Sequence, residues 1–471
     1  MTNIVIVDIF LQLFPFILKD VNNINIVAYI VESEEQKNQV QSYNPEMHVY
    51  TCTEILNWDK TYVSQFDIQK FRSTQLKVER GFSRLVAPNG NNTSMYYCSL
   101  AFWLELYKER IDDIFIWGHV EHGYHVDSIP IDVAKHFGIP AYLIENVCAK
   151  PNYELYAIKD CNSNCYINLQ SLFPQYKGMN IKEFFSPSKN KSLVIPLDDS
   201  LIDKNLQNRS FLRRLKDFYK YHIRLGKNLD TVGLSQTIGV YDQILFRINL
   251  SRLRRYYNKY SVSSVQENDK VILYALHFEP EAQYLNRTIY DSQIYNIKML
   301  SKSLPEGWKI YVKEHPMTFK LSVKNGIQYI KTFTNYKNID YYRELLLIPN
   351  VYLLNWEYPV VKLISSEMRQ IKAIATINGT IALEAMFSKK PVILFDQATN
   401  PYAEIHDLLN VTCLDDLDKI FELLLSDSFC TEYAGFEEIL SKYLIIKEEA
   451  SKIFRKFELF NVIINLHEDV S

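Results

Sequence analysis

Hydrophobic residues in the first part of the chain fall into short runs, and segments with helical spacing separate these runs. The runs lie at 4–7, 24–30, 48–51, 114–117 and 141–144. Short apolar runs that alternate with helical patterns predict βα units on a mostly parallel sheet. A helix predicted at 129–137 is followed by Gly138, a residue typical of helix C-caps. We therefore expect an α/β domain over residues 1–205.

The pattern then becomes helical before it returns to strands. Between 208 and 260 apolar residues follow one stripe and basic residues lie largely elsewhere, which predicts an amphipathic, basic helical connector at 206–262. Strand-like runs recur at 271–276, 310–312, 351–354, 373–377 and 392–395, so we expect a second domain at 263–443. A helical tail at 444–471 is expected to pack back on the first domain. The predicted fold class is α/β, with two Rossmann-like, doubly wound domains.

Length and composition agree with this organisation. At 471 residues the chain exceeds what one hydrophobic core normally serves, and 47% hydrophobic with 23% charged residues is typical of globular proteins. No apolar run reaches the roughly 18 to 20 residues of a membrane-spanning helix. The apolar stretch at 4–18 contains Asp8 and follows no basic residue, so we interpret it as strand and helix rather than signal peptide. Seven scattered cysteines favour a cytoplasmic location.

Positive charge is concentrated in the connector. Residues 204–259 contain thirteen Lys and Arg residues but three Asp residues, a local charge of +10 in a chain whose formal charge is -3. No nucleic-acid reading module accompanies these basic residues, so we expect no nucleic-acid partner. We expect an interdomain connector with weak attraction to an anionic membrane, while a connector whose basic face is only solvated is the alternative.

Glycine-rich phosphate motifs are missing from both domains. Neither first strand is followed by G-x-G-x-x-G, and the sequence has no P-loop, which argues against a dinucleotide oxidoreductase and a P-loop NTPase. With only 13 glycines, the chain would have to hold phosphates through helix N-termini and side chains.

The strand that ends at Lys313 runs into Glu314, His315 and Pro316. Ligands bind at the carboxyl ends of strands in open parallel sheets, so Lys313 and His315 are candidate ligand contacts. Histidine can donate a hydrogen bond to a phosphate oxygen and, when protonated, offset charge on a leaving nucleotide. Pro316 would fix the exit of the chain. The alternative is an edge strand that simply ends in solvent.

A second signal follows the strand at 373–377, where Asn378, Gly379 and Thr380 lead into a helix. Gly379 permits close backbone approach, and Thr380 with the first free N–H groups can hold an anion. Glu384, one turn further on, is a candidate to accept hydrogen bonds from ribose hydroxyls. Its alternative role is favourable first-turn charge, worth about 0.3 to 1 kcal/mol without any ligand.

A third polar segment follows the strand at 271–276. It begins with His277 and Glu281 and continues to Asp291 and Gln293 near the start of a helix. Glu281 and Asp291 are candidates for a substrate ligand, base or nucleophile, although Asp291 equally suits a helix start. Three polar strand ends in one domain predict a pocket.

These segments, in this order, resemble the bacterial capsule polysaccharide biosynthesis glycosyltransferases. The resemblance covers roughly 271–396 and rests on Leu276 to Ala282, Tyr311 to Pro316, and Asn378 to Thr380 with Leu383-Glu384-Ala385. That family is similar to bacterial sialyltransferases and Kdo transferases, which have a GT-B fold, share a His-Pro motif and use CMP-activated acidic sugars. The resemblance implies two domains facing across a cleft, with His315 on the nucleotide phosphate and with Thr380 and Glu384 as hydroxyl and ribose contacts.

The first domain matches these families less closely. Glu121-His122-Gly123 is loosely similar to the acidic-acidic-Gly motif in which sialyltransferases keep their catalytic base, but His122 replaces the middle acid. Glu121 is therefore a candidate base, while His119, His122 and His125 are candidate acceptor contacts or ordinary polar loop residues. Asp415, Asp416 and Asp418 precede or begin a helical run and are interpreted as capping charge, so no metal site is expected.

Together these interpretations predict a metal-independent GT-B glycosyltransferase, with acceptor bound by the N-terminal domain and donor by the C-terminal domain. It would transfer a sugar, expected to be a CMP-activated ulosonic acid of the Kdo or sialic acid type, to a bacterial surface polysaccharide or its lipid-linked acceptor. No cofactor is expected beyond this nucleotide-sugar substrate. The alternatives are a transferase that uses a UDP-sugar, a GDP-sugar or a CDP-alcohol, and a non-catalytic, membrane-associated capsule assembly protein. The expected location is cytoplasmic, at the inner face of the membrane.

Overall fold

The computed structural model describes two compact units of the chain. The described residues are 2–9, 11, 24–85, 91–108, 114–117, 124–150, 153–172, 227–279, 290–321, 327–365, 368–395, 405, 407–426, 429, 431–433 and 435–446. Unit 1 lies within 1–180, 229–236 and 438–471, and unit 2 lies within 181–228 and 237–437.

Unit 1 is built on a mixed sheet with a parallel centre. The strand order β3-β2-β1-β4-β5 has the 3-2-1-4-5 arrangement of a Rossmann domain, and β6, β7 and β17 add antiparallel strands beyond β5. The strands are β1 (Thr2–Val7), β2 (Ile24–Val31), β3 (Val49–Thr51), β4 (Ile114–Trp117), β5 (Ala141–Lys150), β6 (Tyr153–Asp160), β7 (Cys165–Tyr166) and β17 (Ile445–Ile446).

Helices of unit 1 begin and end where the sequence offers caps. Ser33 and Thr51 each form a capping box with the residue three positions later, and Gly138 ends a helix with a φ of 72°. Buried strands β1 and β2 and the packed helices give the unit its core. The helices are α1 (Glu34–Tyr43), α2 (Cys52–Leu56), α3 (Arg72–Leu85), α4 (Asn92–Tyr107), α5 (Ser128–Phe137) and α6 (Leu169–Leu172).

Unit 2 contains a seven-stranded sheet in which every pair of neighbours is parallel. Its order is β10-β13-β12-β11-β14-β15-β16, so the six strands from β11 onward follow the 3-2-1-4-5-6 order of a Rossmann domain. The strands are β10 (Ser261–Val262), β11 (Lys270–Ala275), β12 (Trp308–Lys313), β13 (Val351–Leu354), β14 (Ile371–Thr376), β15 (Val392–Leu394) and β16 (Leu409–Asn410).

The central strands of this sheet are covered on both faces. Four successive residues of β11, 271–274, are buried, as are four of β12, 310–313. Near-continuous apolar runs are characteristic of such strands. The helices are α7 (Val240–Tyr260), α8 (Gln293–Ser303), α9 (Pro316–Lys320), α10 (Phe333–Tyr336), α11 (Ile339–Leu347), α12 (Val360–Ile364), α13 (Ile381–Phe387) and α14 (Leu414–Leu425). Helix α15 (Phe436–Tyr443) begins at the last residues of unit 2 and continues into the part of the chain that belongs to unit 1.

The predicted α/β class with two Rossmann-like domains is confirmed by these two strand orders. Each predicted strand coincides with an observed one, with shifts of one or two residues at some ends or extension beyond the predicted run. Asp416 accepts hydrogen bonds from the backbone of Thr412 and Cys413, which confirms its predicted capping role. No described helix combines the length and hydropathy needed to cross a bilayer.

The all-helical connector predicted at 206–262 is wrong in its centre. Strands β8 (Lys227–Thr231) and β9 (Leu234–Ile238) form a two-stranded sheet. Among the connector residues that the structure describes, only those of α7 (Val240–Tyr260) are helical. Val232 and Gly233 both have positive φ, 53° and 76°, which suits a two-residue hairpin turn. The alternating burial of Leu234, Gln236 and Ile238 has the period of a strand.

The helical tail predicted at 444–471 is also corrected where the structure describes it. Ile445 and Ile446 form β17, which pairs antiparallel with β6 of unit 1. Two adjacent β-branched residues suit a sheet edge, and the backbone hydrogen bonds of β6 override the helical spacing of the longer segment. Residues 447–471 lie outside the described residues.

The hairpin turn is held at three points of unit 1. His125 Nε2 donates to the Val232 carbonyl at 2.8 Å, and the Val232 N–H donates to Glu32 Oε1 at 3.1 Å. A Cβ atom at Gly233 would lie 2.7 Å from the carbonyl carbon of Cys52. These contacts fix the turn despite the strained backbone of a β-branched residue at positive φ.

Substitution of Gly233 by Ala is expected to destabilise unit 1 more than the same substitution at Gly138. Both glycines have φ above 70°, which costs about 1 to 2 kcal/mol for Ala. Only at Gly233 would the added methyl group also overlap backbone atoms, because nothing lies within 4 Å of the corresponding point at Gly138. Thermal unfolding of Gly233→Ala and Gly138→Ala checks this, and equal shifts in Tm would contradict the tight fit.

Candidate functional site

Three polar segments meet at the carboxyl ends of adjacent strands in unit 2. Strand β11 pairs with β12 on one side and with β14 on the other, so the segments after these strands are neighbours. The strand order reverses between β11 and β14, and ligands of open α/β sheets bind at such switch points. The structure thus brings together His277, His315 and the turn at Asn378, Gly379 and Thr380.

His277 joins the ends of β11 and β14. Its Nε2 accepts the Asn378 N–H at 3.3 Å and lies 3.3 Å from Thr376 Oγ1. A Cβ atom at Gly379 would lie 3.0 Å from Thr376 Oγ1 and 3.5 Å from the His277 ring, so the absence of a side chain permits this close packing. Because Nε2 accepts a backbone N–H, the neutral imidazole of His277 carries its proton on Nδ1.

Gln293 holds the backbone of His277 in place. Its Oε1 accepts the His277 N–H at 2.6 Å, and its Nε2 donates to the His277 carbonyl at 3.4 Å. Gln293 is buried at the first position of α8. The structure therefore places this predicted cleft residue behind His277. Asp291 is half-buried and lies one residue before Ser292, the N-cap of α8.

His315 is the N-cap of the short helix α9 and uses only its ring Nδ1 for this capping hydrogen bond. Its Nδ1 accepts the Met317 N–H at 3.2 Å, and Pro316 occupies the first helical position. The neutral ring therefore carries its proton on Nε2, which has no partner among the described residues. The ring lies 6.2 Å from the Phe278 ring, measured between centroids. His315 thus offers an N–H donor beside the end of β11.

The chain position of His315 is set by Glu314, whose carboxylate is fully buried. Glu314 Oε1 accepts the His315 N–H at 2.6 Å and the Thr318 hydroxyl at 2.9 Å, while Oε2 accepts the Tyr342 hydroxyl. The Glu314 N–H donates to the hydroxyl of Tyr257. A single carboxylate thus connects the end of β12, helix α9 and helix α11.

Lys337 supplies the positive charge that this carboxylate needs. Its Nζ lies 3.3 Å from Glu314 Oε2 and 2.9 Å from Glu279 Oε2, and it stands 3.9 Å from the centroid of the Tyr341 ring. Burial opposes the charge of Lys337, but the two carboxylates outweigh burial and raise its pKa. Because Glu279 follows β11 and Glu314 follows β12, Lys337 ties two strand ends together.

Both site histidines are neutral at neutral pH. Burial lowers the pKa of His277 to about 3, with smaller contributions from His315 and Lys337. Burial lowers the pKa of His315 to about 4, and Lys313 and Lys337 add to this effect. In the unliganded protein at pH 7 the His315 ring therefore carries no charge, and its role as a protonated partner of a leaving nucleotide stays a prediction for the bound state. His315 acts there as a neutral hydrogen-bond donor.

Lys313 lies inside the protein at the end of β12. It is 3% exposed, and its Nζ donates to the Trp356 carbonyl at 2.9 Å. Burial lowers the pKa of Lys313 to about 8, although neighbouring Glu314 favours the charge. Lys313 thus places a positive charge near His315, while its ammonium group is hydrogen-bonded to the Trp356 carbonyl.

The turn after β14 leads into α13. Thr380 is exposed at the N-cap position, and its hydroxyl makes no capping hydrogen bond. Glu384, by contrast, is 4% exposed and lies inside the first turn of the helix. The structure therefore leaves the Thr380 hydroxyl accessible and encloses the side chain of Glu384.

Several predicted residues lie elsewhere or outside the described residues. His125 is buried in unit 1, where its Nδ1 accepts the Ser99 hydroxyl and its Nε2 donates to Val232. Burial lowers the pKa of His125 to about 4. These contacts explain His125 as a packing residue. The predictions for Glu121, His119, His122 and Glu281 fall outside the described residues.

The sequence interpretation missed Lys337 and the role of Glu314. Glu314 stood inside a recognised motif, yet an acid beside a Lys and a His gives no sign that it is buried. Lys337 lies 23 positions later in a polar segment, and only the fold brings it to the strand ends. The described residues contain no group of three or more His, Cys, Asp or Glu side chains placed to hold a metal ion.

No protein-family model matches the chain, and no curated protein matches it either. Similar solved structures include UDP-GlcNAc 2-epimerase from Neisseria meningitidis bound to UDP-GlcNAc, at 15% identity and a TM-score of 0.22, covering 94% of each chain. Another is the beta Kdo 2,4 transferase KpsC of Thermosulfurimonas dismutans, at 12% identity and a TM-score of 0.30, covering 70% of this chain and 78% of that chain. These similar structures thus include a sugar epimerase and a glycosyltransferase.

Replacement of Lys337 by Met is expected to lower the free energy of unfolding by about 3 to 5 kcal/mol, because it leaves Glu279 and Glu314 buried without their cation. Chemical denaturation followed by far-UV circular dichroism measures this. The control is Lys298→Met, which breaks the half-exposed pair with Glu344 and should cost at most about 1 kcal/mol. Similar losses for both variants would contradict the role of Lys337.

Acidification from pH 6.5 to 4 is expected to destabilise the protein through His277 and His315 of unit 2, in addition to buried His125 of unit 1. Their pKa values are about 3 and 4 in the folded state, below the ordinary value of 6.5, so the unfolded chain binds more protons in this window. Stability is therefore full above pH 6.5 and falls as the pH approaches 4. The variant His277→Asn/His315→Asn should show a flatter dependence of Tm on pH, and an unchanged slope would contradict the role of these two histidines.

Proposed function

We propose that the chain is a GT-B-type glycosyltransferase whose unit 2 binds an activated sugar at the switch point of its sheet. The observation that carries the proposal is the meeting of His277, His315 and the Asn378 to Thr380 turn at adjacent strand ends. Donors placed there can hold a phosphate of a leaving nucleotide and stabilise the charge that develops on it. The proposed donor is a CMP-activated ulosonic acid of the Kdo or sialic acid type.

Neutral donors are the basis of the proposed phosphate contact. His315 offers Nε2–H, Thr380 offers a hydroxyl, and the first turn of α13 offers backbone N–H groups. The charge of Lys313 lies behind His315 and favours an anion without a direct contact. Gly379 allows the ligand to approach the backbone, as it already allows the approach of His277. Asn378 completes this turn. Because Glu384 is only 4% exposed, its predicted ribose contact is not part of the proposal.

The proposed acceptor is a surface polysaccharide or its lipid carrier at the inner face of the cytoplasmic membrane. Transfer requires a group that takes the proton of the acceptor hydroxyl. Glu121 is the proposed base, while Asp291 and Glu281 are the alternatives on the donor side. A covalent, retaining route would need one of these two carboxylates beside the anomeric carbon. No metal or cofactor is included in the proposal.

Two alternatives lead to different outcomes. A transferase that uses a UDP-sugar, a GDP-sugar or a CDP-alcohol would bind a diphosphate through the same donors. A non-catalytic capsule assembly protein would not need the site at all. Glycan production by cells that carry His315→Ala separates them, because unchanged production favours the assembly role.

Calorimetric titration of the full chain with CMP, CDP, UDP and GDP tests the donor class. We expect CMP to bind in preference to the nucleoside diphosphates. His315→Asn retains an acceptor for the Met317 N–H but shortens the side chain and removes the Nε2 donor. It should weaken binding by about 10 to 100-fold, the range for a hydrogen bond to a charged group.

A second test variant is Thr380→Val, which removes one hydroxyl with little change in shape, and the matched control is exposed His48→Asn in unit 1. Thr380→Val should weaken CMP binding about tenfold, whereas His48→Asn should leave it unchanged. Preference for a diphosphate would rule out the CMP donor. Equal binding by the parent protein and the His315 variant would rule out this site. A screen of CMP-sugars with intact-mass detection of product then identifies the transferred sugar.

A further inference from the structure

Helix α7 exposes one continuous face that changes from apolar to basic along its length. In its first half Tyr241, Ile244, Leu245 and Ile248 are 74%, 44%, 42% and 50% exposed. In its second half Arg252, Arg255 and Lys259 are exposed. At 3.6 residues per turn all seven side chains fall within a stripe of about 100° that is roughly 27 Å long. We call this stripe the α7 face.

The orientation of the α7 face is fixed by the opposite side of the helix. Gln243, Phe246, Leu253 and Tyr257 are buried there. Phe246 packs edge-on against Phe333 with ring centroids 5.6 Å apart, and the Tyr257 hydroxyl donates to the Leu354 carbonyl at 2.6 Å. Rotation of α7 that hid the exposed apolar residues would break these contacts. The α7 face is therefore a stable surface of unit 2.

No acidic side chain interrupts the α7 face. Helix α7 contains five basic residues and one acid, Asp242. Asp242 lies outside the stripe, where its Oδ2 accepts the Gly239 N–H at 2.8 Å and lies 3.7 Å from Lys331 Nζ. The positive charge of the second half is therefore not neutralised within the helix.

We propose that the α7 face docks on an anionic lipid surface. An interfacial helix buries its apolar residues about 5 to 10 Å into the boundary between headgroups and acyl chains, and basic residues attract anionic lipids. Tyr241, Ile244, Leu245 and Ile248 supply the inserting half, and the basic half contacts lipid phosphates. A nucleic acid would leave the aliphatic half without a role. A second copy that covered the apolar half in antiparallel fashion would leave the basic half without a partner.

This inference stands apart from sugar transfer, because vesicle binding needs no donor or acceptor. Sedimentation of the full chain with vesicles of phosphatidylcholine, with and without phosphatidylglycerol, measures it. We expect binding to the anionic vesicles that falls at high salt, since surface charge is screened there. Failure of this experiment leaves the nucleotide titration unaffected, so the two proposals are tested separately.

Two variants and one control test how the apolar half and the basic half of the α7 face contribute to vesicle binding. Arg252→Gln/Arg255→Gln/Lys259→Gln should bind anionic vesicles about 100-fold more weakly, and Ile244→Ser/Ile248→Ser about tenfold or more. All five positions are exposed, so Tm should change little in either variant. Leu347→Ser/Leu423→Ser, which alters exposed apolar residues on other helices, should bind like the parent protein.

Three results would overturn the lipid assignment. They are equal binding to neutral and anionic vesicles, unchanged binding by the basic-half variant, and absence of binding by the parent protein. A dimer seen by analytical ultracentrifugation that is lost in Ile244→Ser/Ile248→Ser, without vesicle binding, would assign the α7 face to self-association instead.

Discussion

The charge of Lys337, enclosed between Glu279 and Glu314, is the constraint on which the arrangement of unit 2 depends. The fully buried carboxylate of Glu314 requires a cation, and the ammonium group of Lys337 satisfies it together with the 13%-exposed carboxylate of Glu279. Because Glu279 follows β11 and Glu314 follows β12, this ion pair fixes the two strand ends relative to each other. The Glu314 carboxylate then holds the backbone of His315 and the start of α9.

The same burial determines the chemistry that the site can offer. Burial lowers the pKa values of His277 and His315, and nearby positive charge lowers them further. Both rings are therefore neutral at pH 7. Hydrogen bonds then determine the tautomers. His315 Nδ1 accepts the Met317 N–H, so the proton lies on Nε2, and His277 Nε2 accepts the Asn378 N–H, so the proton lies on Nδ1. An anion would therefore meet oriented dipoles and helix N–H groups rather than a protonated imidazole.

The sequence was most informative where local patterns and tertiary structure agree. Strands such as β11 and β12 are buried on both faces, so their apolar runs show directly in the chain, and their polar ends indicate the ligand edge. The hairpin at Lys227–Ile238 was missed because its strands are short and lie between helical patterns. Lys337 gave no signal, since its role depends on carboxylates 23 and 58 positions earlier. The burial of Lys313 and Glu384 likewise comes from packing and not from local spacing.

Nitrogen-15 NMR of histidine-labelled protein, with and without CMP, tests the central claim most directly. His315, assigned through the signals lost in His315→Asn, should show the Nε2-protonated neutral tautomer at pH 7. Addition of CMP should shift its Nε2 resonance, because this N–H is the proposed phosphate donor. A His315 protonated on Nδ1, or CMP that leaves the His315 ring unchanged, would contradict the account.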